Sequence, residues 1–234
     1  MVTVFQQTNS CGDVCILPSK VCPSTERPDP AGQSDLTLYE NRRAVPPTDD
    51  DVVSWSHSDD PFCWMKVVAP AGFHSCYLRV DVTDGSSRRM AIEESRLRGS
   101  LGGSGLGGEL LLEADAPLVF VFSPLVGSPL TTSAKFAVVS KSPLTGRIND
   151  SLASSGFAIA GKKTGHDAIL IAGRAAVPSV LIIDEDRVTL EPAKESWGAT
   201  TRLAQEQLRH RFGHDFQSAV IGPAGERQVR YATI

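Results

Sequence analysis

"VVSKSPLTGRINDSLASSGFAIAG", residues 138–161, joins two hydrophobic elements through a run of small side chains. Its first residues predict a buried strand, and Pro143 and Gly146 predict a turn. Serine, alanine and glycine then follow before the sequence becomes apolar again at Phe157. Two interpretations fit this pattern. The stretch is either an ordinary long loop, or a backbone surface kept bare so that a flat polar ligand can lie on it.

The bulk composition describes a globular chain of 234 residues with 41% hydrophobic and 21% charged residues. A net charge of −4 gives no basic footprint, so nucleic acid and anionic membranes are not expected partners. The longest apolar run, residues 116–127, is interrupted by Pro124 and is too short to span a bilayer. The first residues show no secretory signal pattern, and we therefore expect a cytoplasmic protein.

Residues 1–72 differ from the rest of the chain, because they are rich in Pro, Ser and Asp and have few periodic apolar runs. This composition predicts an irregular extension. The extension carries a cysteine cluster, Cys11, Cys15 and Cys22. Thiolates this close together can hold zinc or iron–sulfur, but their spacing matches none of the usual patterns. We favour free thiols in a loose tail over a metal site.

Residues 73–234 contain at least seven short strand-like runs, one clear helix near residues 198–213 and no regular β–α alternation. This order predicts an α+β fold with two packed, mostly antiparallel or mixed β-sheets and few helices. We expect a hairpin to turn near Asp184, and a final strand to follow the Gly222–Pro223 turn. Gly213 is expected to end the helix.

Two motifs resemble known binding sites, but their sequence context does not support a site. Gly103, Gly105 and Gly108 match the dinucleotide-binding fingerprint, but a charged, helix-like segment precedes them where a strand is required. A glycine-rich turn between packed elements is expected instead. His210 and His214 are four residues apart, but Gly213 separates them and no Glu of the zinc-protease motif lies between them. They are expected to be surface histidines.

Five motifs occur in order along the second part of the chain: "GGSGLGGELL" (102–111), "SPLVGSPLTTSAKFAVVSKSPLTG" (123–146), "GHDAILIAGRAAVPSVLIID" (165–184), "SWGATT" (196–201) and "VIGPAGERQVRYA" (220–232). Together they resemble the N-terminal domain of the aldehyde ferredoxin oxidoreductase family, the tungsten-pterin enzymes. The resemblance covers residues 73–234. It implies a domain of two β-sheets that forms the base for a tungsten- or molybdenum-bis-pterin cofactor.

The resemblance also implies which residues contact the cofactor. Lys135 would neutralise its phosphate, and Ser154, Ser155 and Gly156 would donate hydrogen bonds to it. Small side chains there let backbone N–H groups approach a planar ligand. The chain departs from the family pattern at three positions, where Leu152 replaces an Asn, Lys135 replaces an Arg and Ser104 replaces an Arg.

The family's cysteine ligands of a [4Fe–4S] cluster and its substrate channel lie in helical domains beyond the region that this chain matches. The resemblance therefore implies a pterin-platform portion that needs a larger catalytic subunit or the missing C-terminal domains. The assembled enzyme would oxidise aldehydes to carboxylic acids and pass electrons to ferredoxin, and no catalytic residue is assigned within this chain. Two alternatives stay open: a non-catalytic structural or assembly subunit with a degenerate cofactor site, and a small metal or redox module at Cys11–Cys22.

Overall fold

Two β-sheets build the domain in a computed structural model that describes residues 2–6, 72–113, 118–184 and 187–232. All of these residues belong to one unit. Its strands are β1 (Val2–Gln6), β2 (Cys76–Asp81), β3 (Ser86–Ala91), β4 (Leu118–Phe122), β5 (Lys135–Lys141), β6 (Ile148–Ser154), β7 (Ala168–Ala172), β8 (Ser179–Asp184), β9 (Arg187–Pro192) and β10 (Phe216–Ala219). Its α-helices are α1 (Glu94–Ser100), α2 (Gly103–Glu113), α3 (Gly156–Lys163), α4 (Thr201–Phe212) and α5 (Pro223–Glu226).

The larger sheet has six strands in the order β3-β2-β7-β4-β5-β6, and the smaller has four in the order β10-β1-β8-β9. Only the β2–β7 and β1–β8 pairs are parallel among the described strands. The predicted α+β fold with two mixed sheets is confirmed. β1 comes from residues 2–6, within the segment that composition assigns to the extension. The cysteines of the predicted cluster lie outside the described residues.

Three apolar clusters hold the layers together. The first lies between the two sheets and includes Phe120, Phe122, Leu181 and Ile183. The second packs α1 and α2 against the outer face of the six-stranded sheet, and the third packs α4 against the four-stranded sheet. Within the described ranges, no helix combines the length and apolar character that a membrane span requires.

The glycine-rich stretch forms helix α2, so the prediction of a turn is wrong. Glycine disfavours a helix by about 1 kcal/mol relative to alanine. Packing explains why the helix forms here, since a Cβ at Gly107 would lie 2.6 Å from Val139 Cγ2 and 3.1 Å from Val121 Cγ2. Gly107 therefore lets α2 lie directly on β4 and β5. Because α1 and not a strand precedes α2, the dinucleotide-binding fold stays excluded.

Of three other predicted elements, two are confirmed and one is wrong. The hairpin is confirmed, because β8 and β9 pair antiparallel with Asp184 opposite Arg187. The helix is also confirmed: α4 has a Thr200 N-cap and stops at Gly213, as predicted. The strand expected after the Gly222–Pro223 turn is absent from residues 223–232, where α5 and turns occupy the chain instead. Proline at the first helical position suits the start of a helix better than a strand.

Candidate functional site: an open face beside an edge strand

The stretch of small residues is not a loop. Residues 148–154 form β6, which pairs with β5 over seven register positions, and Gly156 begins α3. β6 is an edge strand of the six-stranded sheet, and all seven of its residues are exposed. An edge strand keeps a row of backbone N–H and C=O groups without sheet partners. The interpretation as an ordinary long loop is therefore wrong, because residues 148–154 are a paired strand.

Lys135 and Ser154 are brought together directly. They are register partners across the β5–β6 pair, and Lys135 Nζ donates a hydrogen bond to Ser154 Oγ at 3.2 Å. Both side chains are exposed, so the ammonium group is accessible to an external anion. A flexible ammonium acts as a point charge and lacks the planar fork with which arginine binds phosphate in two places. The site can attract a phosphate, but orients it less strictly than arginine would.

The side chains of β6 alternate between two faces of the sheet. Ile148, Asp150, Leu152 and Ser154 lie on the same face as Lys135, which we call the open face. Leu152 is 68% exposed, so its apolar side chain stands on this face and contributes no polar atom to it.

Helix α2 reaches the open face through its first turn. Ser104 Oγ donates a hydrogen bond to Asp150 Oδ2 at 2.5 Å. The three positions that depart from the family pattern, Ser104, Lys135 and Leu152, thus belong to one region of the surface. The Asp150 carboxylate lies opposite Val139, four register positions from the Lys135–Ser154 pair, and adds a negative charge to another part of the open face.

Ser155 and Gly156 form the beginning of α3 directly after β6, and the Ser155 side chain lies with Asn149, Ser151 and Ala153 on the side opposite the open face. Ser155 is the N-cap, and its Oγ accepts a hydrogen bond from the backbone N–H of Phe157 at 3.2 Å. The Ser155 N–H is already donated to Ala134 O, so only the hydroxyl hydrogen of Ser155 is left for a ligand. Packing also explains the glycine at position 156, because a Cβ there would lie 2.9 Å from Gln217 Oε1.

A buried ion pair lies behind the start of β7 and was missed from the sequence. Lys162 Nζ is 2.6 Å from Asp167 Oδ1, and the two side chains are 5% and 1% exposed. The backbone N–H of His74 also donates to both Asp167 carboxylate oxygens at 3.0 Å. The signal was present in the sequence as "KKTGHD" before an apolar strand, because charged residues at the start of a buried strand need partners.

Two titratable groups beside this ion pair are shifted by burial. Burial lowers the pKa of His74, and the nearby charge of Lys162 lowers it further. Burial also raises the pKa of the Cys76 thiol, although Arg89 opposes this shift. Cys76 Sγ accepts a hydrogen bond from Arg89 Nε at 3.1 Å. A buried thiol whose pKa is raised is a poor nucleophile and a poor metal ligand.

The other candidate ligands do not form a site. The described ranges contain no group of three or more His, Cys, Asp or Glu side chains that could hold a metal ion. His210 lies within α4 and His214 follows its end, separated by Gly213 as expected. Cys11, Cys15 and Cys22 lie outside the described residues.

Comparison with known proteins decides the family. Residues 77–234 match the family model described as "Aldehyde ferredoxin oxidoreductase, N-terminal domain". The chain belongs to the aldehyde ferredoxin oxidoreductase family. Its relatives include the tungsten-containing aldehyde ferredoxin oxidoreductases of Pyrococcus abyssi, 35% identical over 176 residues, and of Pyrococcus horikoshii, 33% identical over 176 residues. Each alignment covers 70% of this chain and 29% of the relative.

A solved structure also has a similar fold. The chain is similar to the "active site complex BamBC of benzoyl coenzyme A reductase in complex with 1,5-dienoyl-CoA", with a TM-score of 0.57 and 25% sequence identity. This match covers 60% of the present chain and 23% of the solved one. The chain thus spans less than a third of the length of these curated relatives, and it corresponds to their N-terminal domain.

Proposed function

We propose that this chain is the pterin-binding platform of an aldehyde ferredoxin oxidoreductase-like enzyme. In this proposal, residues 73–234 bind a tungsten- or molybdenum-bis-pterin cofactor, and the extension of residues 1–72 contributes strand β1 to the four-stranded sheet of the domain. The complete enzyme oxidises an aldehyde to a carboxylic acid and passes two electrons to ferredoxin. The observation that carries the proposal is the pairing of Lys135 with Ser154 beside an exposed edge strand.

The residues of the open face fit a flat, phosphate-bearing group. Lys135 supplies one positive charge, and β6 supplies backbone groups that have no sheet partner on its free side. Leu152 would meet such a group with an exposed apolar side chain. Polar ligand atoms that lose water on binding need such partners, since an unsatisfied polar group costs about 1–3 kcal/mol. The fit is weaker than a full set of arginine and asparagine contacts would give.

Each residue has a limited role in this proposal. Lys135 neutralises a phosphate of the cofactor, and Ser154 donates its hydroxyl hydrogen to an adjacent oxygen. Gly156 offers its backbone N–H at the start of α3, and Ser155 holds this turn in place as the N-cap of the helix. When bound, the metal–pterin group supplies the two-electron redox chemistry. These residues hold the group and do not themselves exchange electrons.

The proposed activity depends on a partner. The matched relatives are more than three times longer than the part they share with this chain, since that part is 29% of their length. The remaining length would carry the [4Fe–4S] cluster, the substrate channel and the surface that meets ferredoxin. We therefore expect this chain to be inactive by itself and to act with a larger catalytic subunit or with the corresponding C-terminal domains.

The experiment is a metal and pterin analysis of the tagged full chain, purified without oxygen from the cells that produce it. We expect tungsten or molybdenum and pterin in a ratio of one to two, together with a larger polypeptide. Lys135→Ala is expected to reduce retained pterin severalfold. Lys141→Ala is the matched control, because Lys141 lies on the same strand and face about 20 Å away. Equal retention by both variants would contradict the proposed site.

A second candidate function, a non-catalytic structural or assembly subunit, is favoured by the contacts of Ser104. Its hydroxyl is engaged with Asp150 in place of the cationic contact that the family pattern provides. Leu152 adds an apolar side chain to the same face. A purified complex that retains the large partner but contains neither metal nor pterin would favour this second function.

A further inference from the structure

Strand β1 joins β10 to the four-stranded sheet. It pairs antiparallel with β10 on one side, where Val4 lies opposite Ser218, and parallel with β8 on the other, where Val4 lies opposite Ile182. β8 has a second neighbour in β9, but β1 is the only described strand with which β10 pairs. The place of β10 in this sheet therefore depends on β1.

β1 is also separate in sequence from every other described element. It ends at Gln6, and the next described residue is Gly72. The family model begins at residue 77, so the matched domain includes β8, β9 and β10 but not β1. An inner strand of this sheet thus comes from outside the matched family domain.

The space that β1 occupies has two binding edges. It lies between Ser179–Asp184 of β8 and Phe216–Ala219 of β10, and we call it the strand slot. Neighbouring strands are about 4.8 Å apart, so β8 and β10 lie about 10 Å from each other with one strand between them. Without that strand, each would present a row of unpaired backbone N–H and C=O groups toward the slot. An extended segment that enters the slot forms two ladders at once, parallel to β8 and antiparallel to β10.

The neighbours of the slot define the chemistry of its occupant. Leu181 and Ile183 of β8 belong to the apolar cluster between the two sheets, and Val180 and Ile182 belong to the cluster under α4. A strand beside β8 therefore has an apolar cluster on each of its faces, where an unpaired charge would be costly. Residues 2–6, VTVFQ, have a suitable composition, because they contain no charged residue and are rich in β-branched and aromatic types.

We propose that the strand slot is a binding site for an uncharged extended segment and that Val2–Gln6 is an exchangeable occupant of it. The rest of the domain has its own support. The six-stranded sheet contains no part of β1, and the described members of the cluster under α4 all lie within residues 180–220. The domain therefore stays folded when β1 leaves, while β10 loses its ladder. The inference does not depend on the proposed cofactor, because the open face is on the other sheet.

The test displaces β1 in the full chain and then offers a replacement. Val4→Pro removes a backbone N–H from the middle of β1 and is expected to release the strand. We expect amide hydrogen exchange within Phe216–Ala219 to become about tenfold faster or more, while Leu118–Phe122 of the other sheet keeps its protection. A synthetic peptide of residues 1–7 is expected to restore the protection of β10. Val4→Thr is the matched control, since it keeps the N–H, and its exchange is expected to match that of the parent.

A second peptide tests the chemistry of the slot. It carries Val4→Asp in the sequence of residues 1–7, and we expect it to leave β10 of the Val4→Pro protein unprotected because it would bring a charge between the two apolar clusters. Equal restoration by both peptides would contradict the proposed selectivity for an uncharged segment.

The proposal would be overturned by any of three results for the Val4→Pro protein. The first is exchange within β10 that equals that of the parent, because β1 would then not hold β10 in the sheet. The second is loss of protection in both sheets, because β1 would then be an integral strand of the fold and not an exchangeable one. The third is a β10 that stays unprotected with the unmodified peptide in excess, because the slot would then accept no separate segment.

Discussion

Replacing Lys162 by Met tests whether the Lys162–Asp167 ion pair is as dry as its geometry indicates. Both side chains are almost completely buried, and Lys162 Nζ lies 2.6 Å from Asp167 Oδ1. Methionine keeps most of the buried aliphatic stem and removes the charge. The Asp167 carboxylate would then keep its hydrogen bonds from the His74 N–H.

The expected cost is large. Breaking a buried ion pair by removing one partner typically costs 3–5 kcal/mol, and the remaining His74 contacts place this case near about 3 kcal/mol. With an m-value of about 2 kcal/mol/M, the urea midpoint would fall by about 1.5 M. The assay is urea unfolding followed by far-ultraviolet circular dichroism.

Two comparisons make the result interpretable. Arg202→Met removes an ion pair with Glu206 whose side chains are 89% and 58% exposed, and should cost less than about 0.5 kcal/mol. The double variant Lys162→Met/Asp167→Leu should recover much of the loss, because apolar replacement of a buried pair is often neutral. A Lys162→Met midpoint within about 0.3 M of the parent would refute the reasoning.

Three further predictions concern packing and pH. Gly107→Ala should destabilise the protein by about 1–3 kcal/mol in thermal unfolding, because the added Cβ would meet Val139. Gly108→Ala should stabilise the protein by up to about 1 kcal/mol, because the space around this position is open and alanine favours a helix. Equal effects of the two substitutions would contradict the packing of α2. Because burial lowers the pKa of His74 below 6.5, the unfolded chain binds more protons, so stability should fall as pH drops below about 6.5 and His74→Gln should flatten this slope. Because burial raises the pKa of Cys76 above 9.0, the free energy of unfolding should also fall as pH rises above about 9, and Cys76→Ala should remove this decrease. If the pH dependence of stability is the same in the parent and in His74→Gln or Cys76→Ala, burial of that group does not cause it.

The elements that were predicted correctly are those with strong local signals. The β8–β9 hairpin follows from apolar runs around an acidic turn, and α4 follows from its glycine stop. The elements that were missed depend on contacts between distant residues. α2 forms because Gly107 packs on Val139, and β6 forms because small polar residues pair with β5. Neither contact is visible in local propensity.

The site shows the same division. The resemblance placed Lys135 and Ser154 in one site, and the register of β5 and β6 brings them within hydrogen-bonding distance. The roles of Ser155 and Gly156 were harder to foresee. The cap to Phe157 and the close approach of Gln217 explain both residues without any ligand. The alternation of β6 also separates the open face from Asn149, Ser151 and Ala153 on the opposite face, and no linear motif shows this division.

The most direct test of the proposed platform is amide hydrogen exchange along β6 in the purified complex, before and after the cofactor is removed. The platform predicts that loss of the cofactor increases exchange at Leu152–Gly156, while β3, at the other edge of the same sheet, is unchanged. Exchange that stays the same along β6 in a complex that has lost its metal and pterin would contradict the account.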